Sequence, residues 1–346
     1  MRNSTRPTAS APLKNQTSRN IKQVVLGTLR FNTWFDSRYP EELVQPGIET
    51  LFVCHACFRY SCDSQSYVSH VQICQNKKQR LGTCIYDAGN YSVWEVDGED
   101  EKLFAQNLSL FAKLFLDHKS VFFDVSSFLY YILVYTNPND PSDRHILGYF
   151  SKEKMSWDAN NLACILIFPP YQHKQLGKLL MGISYKLSAW EWEGGVIGGP
   201  EKPLSEMGRK SYVRFWEERI ARYLLVGSSA GSSNRQDNTK RPGRKKGKKV
   251  PVREEMSVRD IGQATGMLVE DVITALQSMG VVDPQKPTKR KRGSHADEKG
   301  HSDRVIIKKS KVLAWAKSRN MSLLDPVVEE GFHGEWAPEE AESEDF

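Results

Sequence analysis

The sequence has no apolar run approaching the roughly 18 residues that a membrane helix needs, so no helical membrane span and no membrane partner are expected. Residues 1–22 are polar and rich in Ser, Thr and Asn, and lack the apolar stretch of a secretory signal. They read as the disordered leader of an intracellular protein. The leader has Arg and Ser but no acid, as a mitochondrial address would; the basic runs farther along favour the nucleus. Cysteine is scarce, with six in 346 residues, which argues for metal binding or free thiols over a disulfide framework. Residues 227–253 and 284–303 have almost no large apolar groups, cannot bury enough surface to order themselves and read as inserted loops. Residues 335–346 have neither Lys nor Arg and form an acidic tail. No internal repeat is present.

What remains is ordinary for a folded protein: 39% hydrophobic and 10% aromatic residues, enough for a sizeable core. The net charge of +6 is concentrated in Lys240–Lys249 (KRPGRKKGKK) and in Lys289-Arg290-Lys291-Arg292. Such runs serve as a nuclear address, as non-specific DNA contact, or merely as solvated linkers. Between leader and tail the chain divides into an N-terminal segment (23–80), a main core (81–226), and a C-terminal module (254–334) carrying the second polar insertion.

In the core, Ser126–Tyr135 and His145–Phe150 read as strands around a Pro-containing turn at Asn137–Asp143. Leu162–Phe168 (LACILIF), stopped by Pro169-Pro170, predicts a buried central strand. From Leu176 to Trp190, the residues Leu176, Leu179, Leu180, Ile183, Leu187 and Trp190 share one helical face. A second helix, starting near Pro203, turns Tyr212, Phe215, Trp216, Ile220 and Tyr223 inward. In the C-terminal module, Ser257 caps a helix with Val258, Ile261 and Ala264; Gly266 makes a turn; and Val269–Met279 forms a helix ended by Gly280. A strand at Arg304–Lys308 and a short helix at Ser310–Ala316 complete a winged-helix-like pattern, read as a packing module rather than a DNA reader.

Two constellations carry chemistry. Cys54 and Cys57 are two residues apart, and after twelve more residues His70 and Cys74 follow with three between them. Three thiolates and an imidazole suit tetrahedral Zn²⁺, and the alternative of a redox pair at Cys54 and Cys57 leaves the other two unexplained. Leu51, Phe52, Phe58, Tyr60 and Tyr67 are candidates for a miniature core around it, while Cys62 and Cys84 fall outside the pattern. The second constellation is Gln172-His173-Lys174-Gln175-Leu176-Gly177, which joins a strand to a helix start, where backbone N–H groups and the helix dipole favour a bound anion such as a pyrophosphate.

Together the finger, Asn161–Ser188 (NLACILIFPPYQHKQLGKLLMGISYKLS) and Gly199–Trp216 (GPEKPLSEMGRKSYVRFW) resemble the MYST family of lysine acetyltransferases, nearest its fungal silencing-associated branch. Phe31–Glu42 and Leu110–Leu133 match as well, so the resemblance spans about residues 22–336. It implies an α/β (α+β) fold: a GNAT-type acetyltransferase core behind a Cys-Cys-His-Cys zinc finger. It implies acetyl-CoA as cosubstrate, histone tails and nucleosomes as substrate, and further complex subunits as partners. Residue by residue, it implies Glu201 as general base and Cys164 as active-site cysteine. It places the pantetheine arm along Ala163, Ile165 and Ile167, the pyrophosphate at Gln172, His173, Lys174, Gln175, Leu176, Gly177 and Lys178, and a further cofactor contact at Ser205. Lys119 matches a lysine that becomes acetylated. The chain departs from the family at His173, where Arg is usual, and at Gln175, where Gly is usual. Without the resemblance, Glu201 reads as a helix-terminus carboxylate and Cys164 as a small buried hydrophobe. Two other readings use the same residues: a chromatin-binding subunit with a weakened acetyl-CoA site, and a DNA-binding factor built on the finger and the winged-helix-like module.

Overall fold

A computed structural model describes residues 19–74, 81–191, 198–227, 255–283 and 304–337. The leader up to residue 18, both basic runs, nearly all of the two polar insertions and the tail beyond 337 lie outside the described residues. By contact the chain divides into two compact units, one of residues 1–190, 200–205 and 326–346, the other of residues 191–199 and 206–325.

The first unit opens with a four-stranded sheet in the order β2-β1-β3-β4. Its strands are β1 (Ile21–Leu26), β2 (Leu29–Asn32), β3 (Ile48–Val53) and β4 (Tyr60–Ser61), and helix α1 (Ser64–Ile73) follows. Asp63 starts α1 by accepting a hydrogen bond from the Ser66 N–H at 2.7 Å, which satisfies one of the helix's open donors. Next come β5 (Thr83–Ala88), β6 (Tyr91–Asp97), α2 (Lys102–Lys113), β7 (Phe128–Asn137), β8 (Asp140–Glu153) and β9 (Cys164–Ile167). These five strands form one antiparallel sheet in chain order. Strand alternation puts Tyr130, Ile132 and Val134 of β7 on one face, where they join Tyr149, Leu166 and the α2 residues Phe104, Leu108 and Phe111 in a single buried cluster. Helix α3 (Leu176–Glu191) buries Leu176, Leu179, Leu180, Ile183 and Leu187 as its spacing requires. Trp190 differs: it is 40% exposed and packs edge-on against Phe332 and over Trp336, rings from the returning C-terminal segment. That segment is held by Phe332 bridging Tyr86 and by a Lys186–Glu329 ion pair.

Two expectations are corrected here. The turn expected at Asn137–Asp143 is tighter, because β8 already pairs with β7 at Asp140. Leu162–Phe168 is not central: β9 is the last strand in the sheet order, and Cys164, Ile165 and Ile167 are only half-buried. A continuous apolar run does not distinguish an edge beside a cleft from a sheet interior, since both remove side chains from water.

The second unit contains α4 (Glu206–Val226), α5 (Val258–Thr265), α6 (Val269–Met279), α7 (Lys309–Ser318) and the three-stranded sheet β10-β12-β11 of Glu255–Ser257, Arg304–Ile307 and Val282–Asp283. Pro203 stands outside α4, which begins at Glu206. Helix α4 packs against α5, α6 and α7 through its aromatic face, with Tyr212, Phe215, Trp216 and Ile220 buried. By contact it therefore groups with the C-terminal module, whereas the sequence boundary at 226 placed it in the core. Ser257 caps α5 in a reciprocal capping box with Asp260, and Gly266 and Gly280 end α5 and α6 in the left-handed conformation that glycine adopts without strain.

Candidate active site and metal centre

Cys54 follows the last residue of β3, and the chain turns back on itself there: the Phe58 N–H donates to the Cys54 carbonyl at 2.9 Å, and the Cys54 N–H to the Arg59 carbonyl at 2.8 Å. His70 comes from the last turn of α1, and Cys74 lies one residue past its end rather than within it. The four ligand atoms nevertheless lie within 4.8 Å of one another. Sulfurs about 2.3 Å from a tetrahedral zinc are separated by about 3.8 Å. The Cys54–Cys74 and Cys57–Cys74 separations are 3.8 and 3.7 Å, and Cys57 Sγ is 3.2 Å from His70 Nε2. The residues therefore fit Zn²⁺ in both donor chemistry and spacing. Hydrogen bonding from the Cys57 thiol is the largest effect holding Cys54 down to about 4, and the same contact raises Cys57. A bound metal replaces that shared proton. Cys62 and Cys84 stand outside the cluster.

The expected miniature core is only partly separate. Phe52 packs on Tyr67 at 5.5 Å, within the finger. Phe58, held at φ 59, is fully buried against Phe104, Phe111 and Phe168 at 5.7, 5.4 and 5.7 Å. Phe168 directly follows β9, so the residue after Cys57 packs against the end of the strand that leads to the turn at Gln172.

On β9, Leu166 faces Tyr149 and Ile167 faces Gly148. The Phe168 N–H donates to the Leu147 carbonyl at 2.9 Å. In an antiparallel ladder that phase directs the backbone groups of Ile165 and Ile167 away from β8, toward the strand's free side. A side chain at Gly148 would collide with the Leu166 carbonyl oxygen at 2.3 Å, so glycine is needed for this close pairing. Beyond Ile167, a 3-10 turn at Pro169–Tyr171 leads to Gln172, whose Nε2 donates to the Ile167 carbonyl at 2.8 Å. Gln172 therefore ties the turn to the strand.

His173, Lys174 and Gln175 are exposed at the turn's crest, with Lys174 Nζ 5.9 Å from the Tyr171 ring. His173 and Gln175 have φ of 63 and 66, a left-handed backbone that favours glycine. The two N–H groups of Lys178 and Leu179 turn back to the Gln175 carbonyl at 3.0 and 3.4 Å, and Leu176 and Gly177 open the helix ahead of them. Gly177 is required neither by a positive φ nor by tight packing: an added Cβ would meet only an Ile167 side-chain carbon at 4.0 Å.

At the other end of β9, Leu162 pairs in parallel with Pro200, and the Glu201 N–H donates to the Leu162 carbonyl at 2.9 Å. This brings Glu201 beside the strand that begins with Cys164. Glu201 is exposed, yet its carboxyl is raised above the usual carboxylate range, first by partial burial and then by the Glu153 charge, against the opposing pull of the Lys119 ammonium. Lys119, only 7% exposed, places Nζ 3.9 Å from Cys164 Sγ. The sequence reading missed the joint approach of Glu153, Lys119 and Cys164 to this spot. No local pattern signals it, because Lys119 sits in a loop after α2 and the others on two strands. Ser205 is exposed just before α4, and its place beside a cofactor rests on the resemblance alone.

A metal-stapled α/β unit with an edge strand running into a helix N-terminus, and a carboxylate beside a cysteine at that strand's other end, is the class these features define. The chain belongs to the MOZ/SAS family, whose model matches residues 79–317, and the MYST family zinc finger domain matches residues 18–74. It is 39% identical over 262 residues to the histone acetyltransferase MOF of Drosophila melanogaster, covering 76% of this chain and 28% of the fly protein. It is 36% identical to the histone acetyltransferase Tip60 homolog of Caenorhabditis elegans, covering 75% of this chain and 51% of that protein. Against the histone acetyltransferase SAS2 of Saccharomyces cerevisiae it is 35% identical, covering 76% of this chain and 75% of the relative.

Proposed function

We propose that this chain is a histone lysine acetyltransferase that uses acetyl-CoA, with Glu201 as general base and Cys164 as its neighbour. The observation that supports this reading is the bridge from Leu162 to Pro200, which brings Glu201 to the start of the strand that carries Cys164 and continues toward the turn at Gln172. Acetyl-CoA supplies an activated acyl thioester. The helix start at Leu176 and Gly177 offers N–H donors and the positive end of a dipole to its phosphates, and Lys178 adds charge. Ile165 and Ile167 lie between the turn and Cys164, and Ala163 lies just beyond it. A substrate lysine is protonated near neutral pH and must lose that proton before it attacks. A carboxylate raised above its usual range is a better acceptor for it. Direct attack in a ternary complex needs no acyl-cysteine, and Cys164 then orients the site.

Histone substrates follow the names of the relatives, and nuclear location and membership of a chromatin complex are proposed with them. Contact of the basic runs with DNA, and a winged-helix-like role for the C-terminal module, belong to the same proposal. Transfer of labelled acetyl from acetyl-CoA to nucleosomes and free histones tests the function. Label on histones is the expected result. Weak acetyl-CoA binding with no label on any lysine substrate would instead favour a chromatin-binding subunit.

Two further outcomes are expected. Gln175→Gly removes roughly 1 kcal/mol of left-handed strain. The thermal midpoint then rises by about 2 °C and the Kd for coenzyme A falls; a lowered midpoint together with weaker binding would refute the strain argument. Lys119→Met removes the cation that opposes the rise at Glu201, so the Glu201 pKa climbs further. Because the base works only when deprotonated, the acidic limb of the pH–rate profile moves to higher pH. A profile that stays put, or moves to lower pH, removes Lys119 from the electrostatics of the base.

A further inference from the structure

We propose that Cys164 and Lys119 form a reversible sulfur–nitrogen bond when a peroxide reaches the site, an oxidation switch that acetylation of Lys119 blocks. The geometry is a buried amine behind a reachable sulfur. Lys119 is 7% exposed and its Nζ lies 3.9 Å from Cys164 Sγ. Cys164 is a free thiol, only half-buried at the start of an edge strand, which leaves it partly open to a small oxidant. The two residues come from different elements, one after α2 and one on β9, and the packing of both holds the pair in contact. Behind the sulfur lie two phenols. Tyr149 is fully buried with no hydrogen-bond partner for its hydroxyl among the described residues, and it is close enough to feel charge on Cys164. Tyr130, stacked on Tyr149 at 5.9 Å, shares a 3.1 Å hydrogen bond with Ser109. Burial keeps both phenols protonated, so Tyr149 retains a donor for an oxygen added to the sulfur.

The chemistry balances with a peroxide as the only co-reactant. Hydrogen peroxide takes two electrons from sulfur and leaves one oxygen, so that Cys–SH and H₂O₂ give Cys–SOH and water. Lys119 gives up its ammonium proton to solvent, and the freed amine then attacks sulfur. The S–O bond breaks, the departing hydroxide takes the amine proton, and Cys–S–NH–Lys and a second water result. Attack by an external thiol on that sulfur releases the amine and leaves a mixed disulfide, which a second thiol reduces to Cys164. An acetylated Lys119 has its nitrogen lone pair delocalised into the amide and does not attack. Formation of the S–N bond and acetylation of Lys119 are therefore mutually exclusive. The inference goes beyond acetyl transfer and stands without it, since its readout is a covalent bond.

The full chain is treated with hydrogen peroxide, its remaining thiols are alkylated, and the digest is analysed by mass spectrometry. The expected product is a joined pair of peptides containing Lys119 and Cys164, lighter by two hydrogens than their sum, that separates after dithiothreitol. Cys164 recovered as sulfinic acid, sulfonic acid or a disulfide, with Lys119 unlinked, overturns the proposal. Lys119→Arg provides the second measurement: its Cys164 sulfenic acid persists and is captured by dimedone, while capture in the unaltered chain is at least several-fold lower. Equal capture in both also overturns it.

Discussion

Glu201→Gln is expected to lower kcat for lysine acetylation by about 10²- to 10⁴-fold while leaving the fold and acetyl-CoA affinity in place. Its side chain is exposed, so the amide replaces the carboxylate without opening a cavity. The backbone N–H that bridges to Leu162 is untouched. What is lost is the proton acceptor. The residual rate should rise with pH, as free substrate amine becomes available without help. Measurement of kcat and of acetyl-CoA Kd across pH separates these effects. A variant with near-normal kcat at every pH would show that another group, such as Glu153, whose charge reaches Glu201, takes the proton.

The largest effect on stability is expected from removing the metal. Structural zinc in finger peptides is worth about 10–16 kcal/mol of apparent binding free energy, comparable with or above the ~5–15 kcal/mol that holds a whole domain together. Here the loss should not stay in the finger. Cys57 sets the position of Phe58, and the Phe58 ring lies against Phe104 and Phe111 of α2 and against Phe168 at the end of β9. Chelation is therefore expected to unfold the first unit cooperatively, lowering the thermal midpoint by well over 10 °C and abolishing acetyl-CoA binding in the same transition. Phe58→Ala should reproduce part of this with zinc retained, at about 3–5 kcal/mol for a buried phenylalanine. Finger signals lost on chelation, with cofactor binding and core melting unchanged, would show that the staple is local.

Much of this was legible in residue order. The zinc site was, because a tetrahedral ion imposes its donor set and short spacings on the chain, and Cys54, Cys57, His70 and Cys74 have both. Helix α3 was, since Leu176 to Leu187 repeat with the helical period. The caps at Ser257, Gly266 and Gly280 sit where their backbone chemistry places them. The status of β9 was not: whether an apolar strand has one neighbour or two depends on partners distant in sequence. Pro203 misled for a related reason, since a proline tolerated at a helix start is equally tolerated in the loop before one.

The sequence by itself determined the local chemistry: the metal-ligand set, the caps at Ser257, Gly266 and Gly280, and, through whole motifs, the family. Only the tertiary structure decided who meets whom. It showed that Phe58 leaves the finger for the core, that His173 and Gln175 hold a left-handed backbone, and that Lys119 lies 3.9 Å from Cys164 while its charge opposes the rise at Glu201. Such contacts join loop to strand across 45 residues or more, and no periodicity of the chain encodes them. They arise when burial of the aromatic cluster brings α2 and β9 together, and the site's electrostatics follow from that packing.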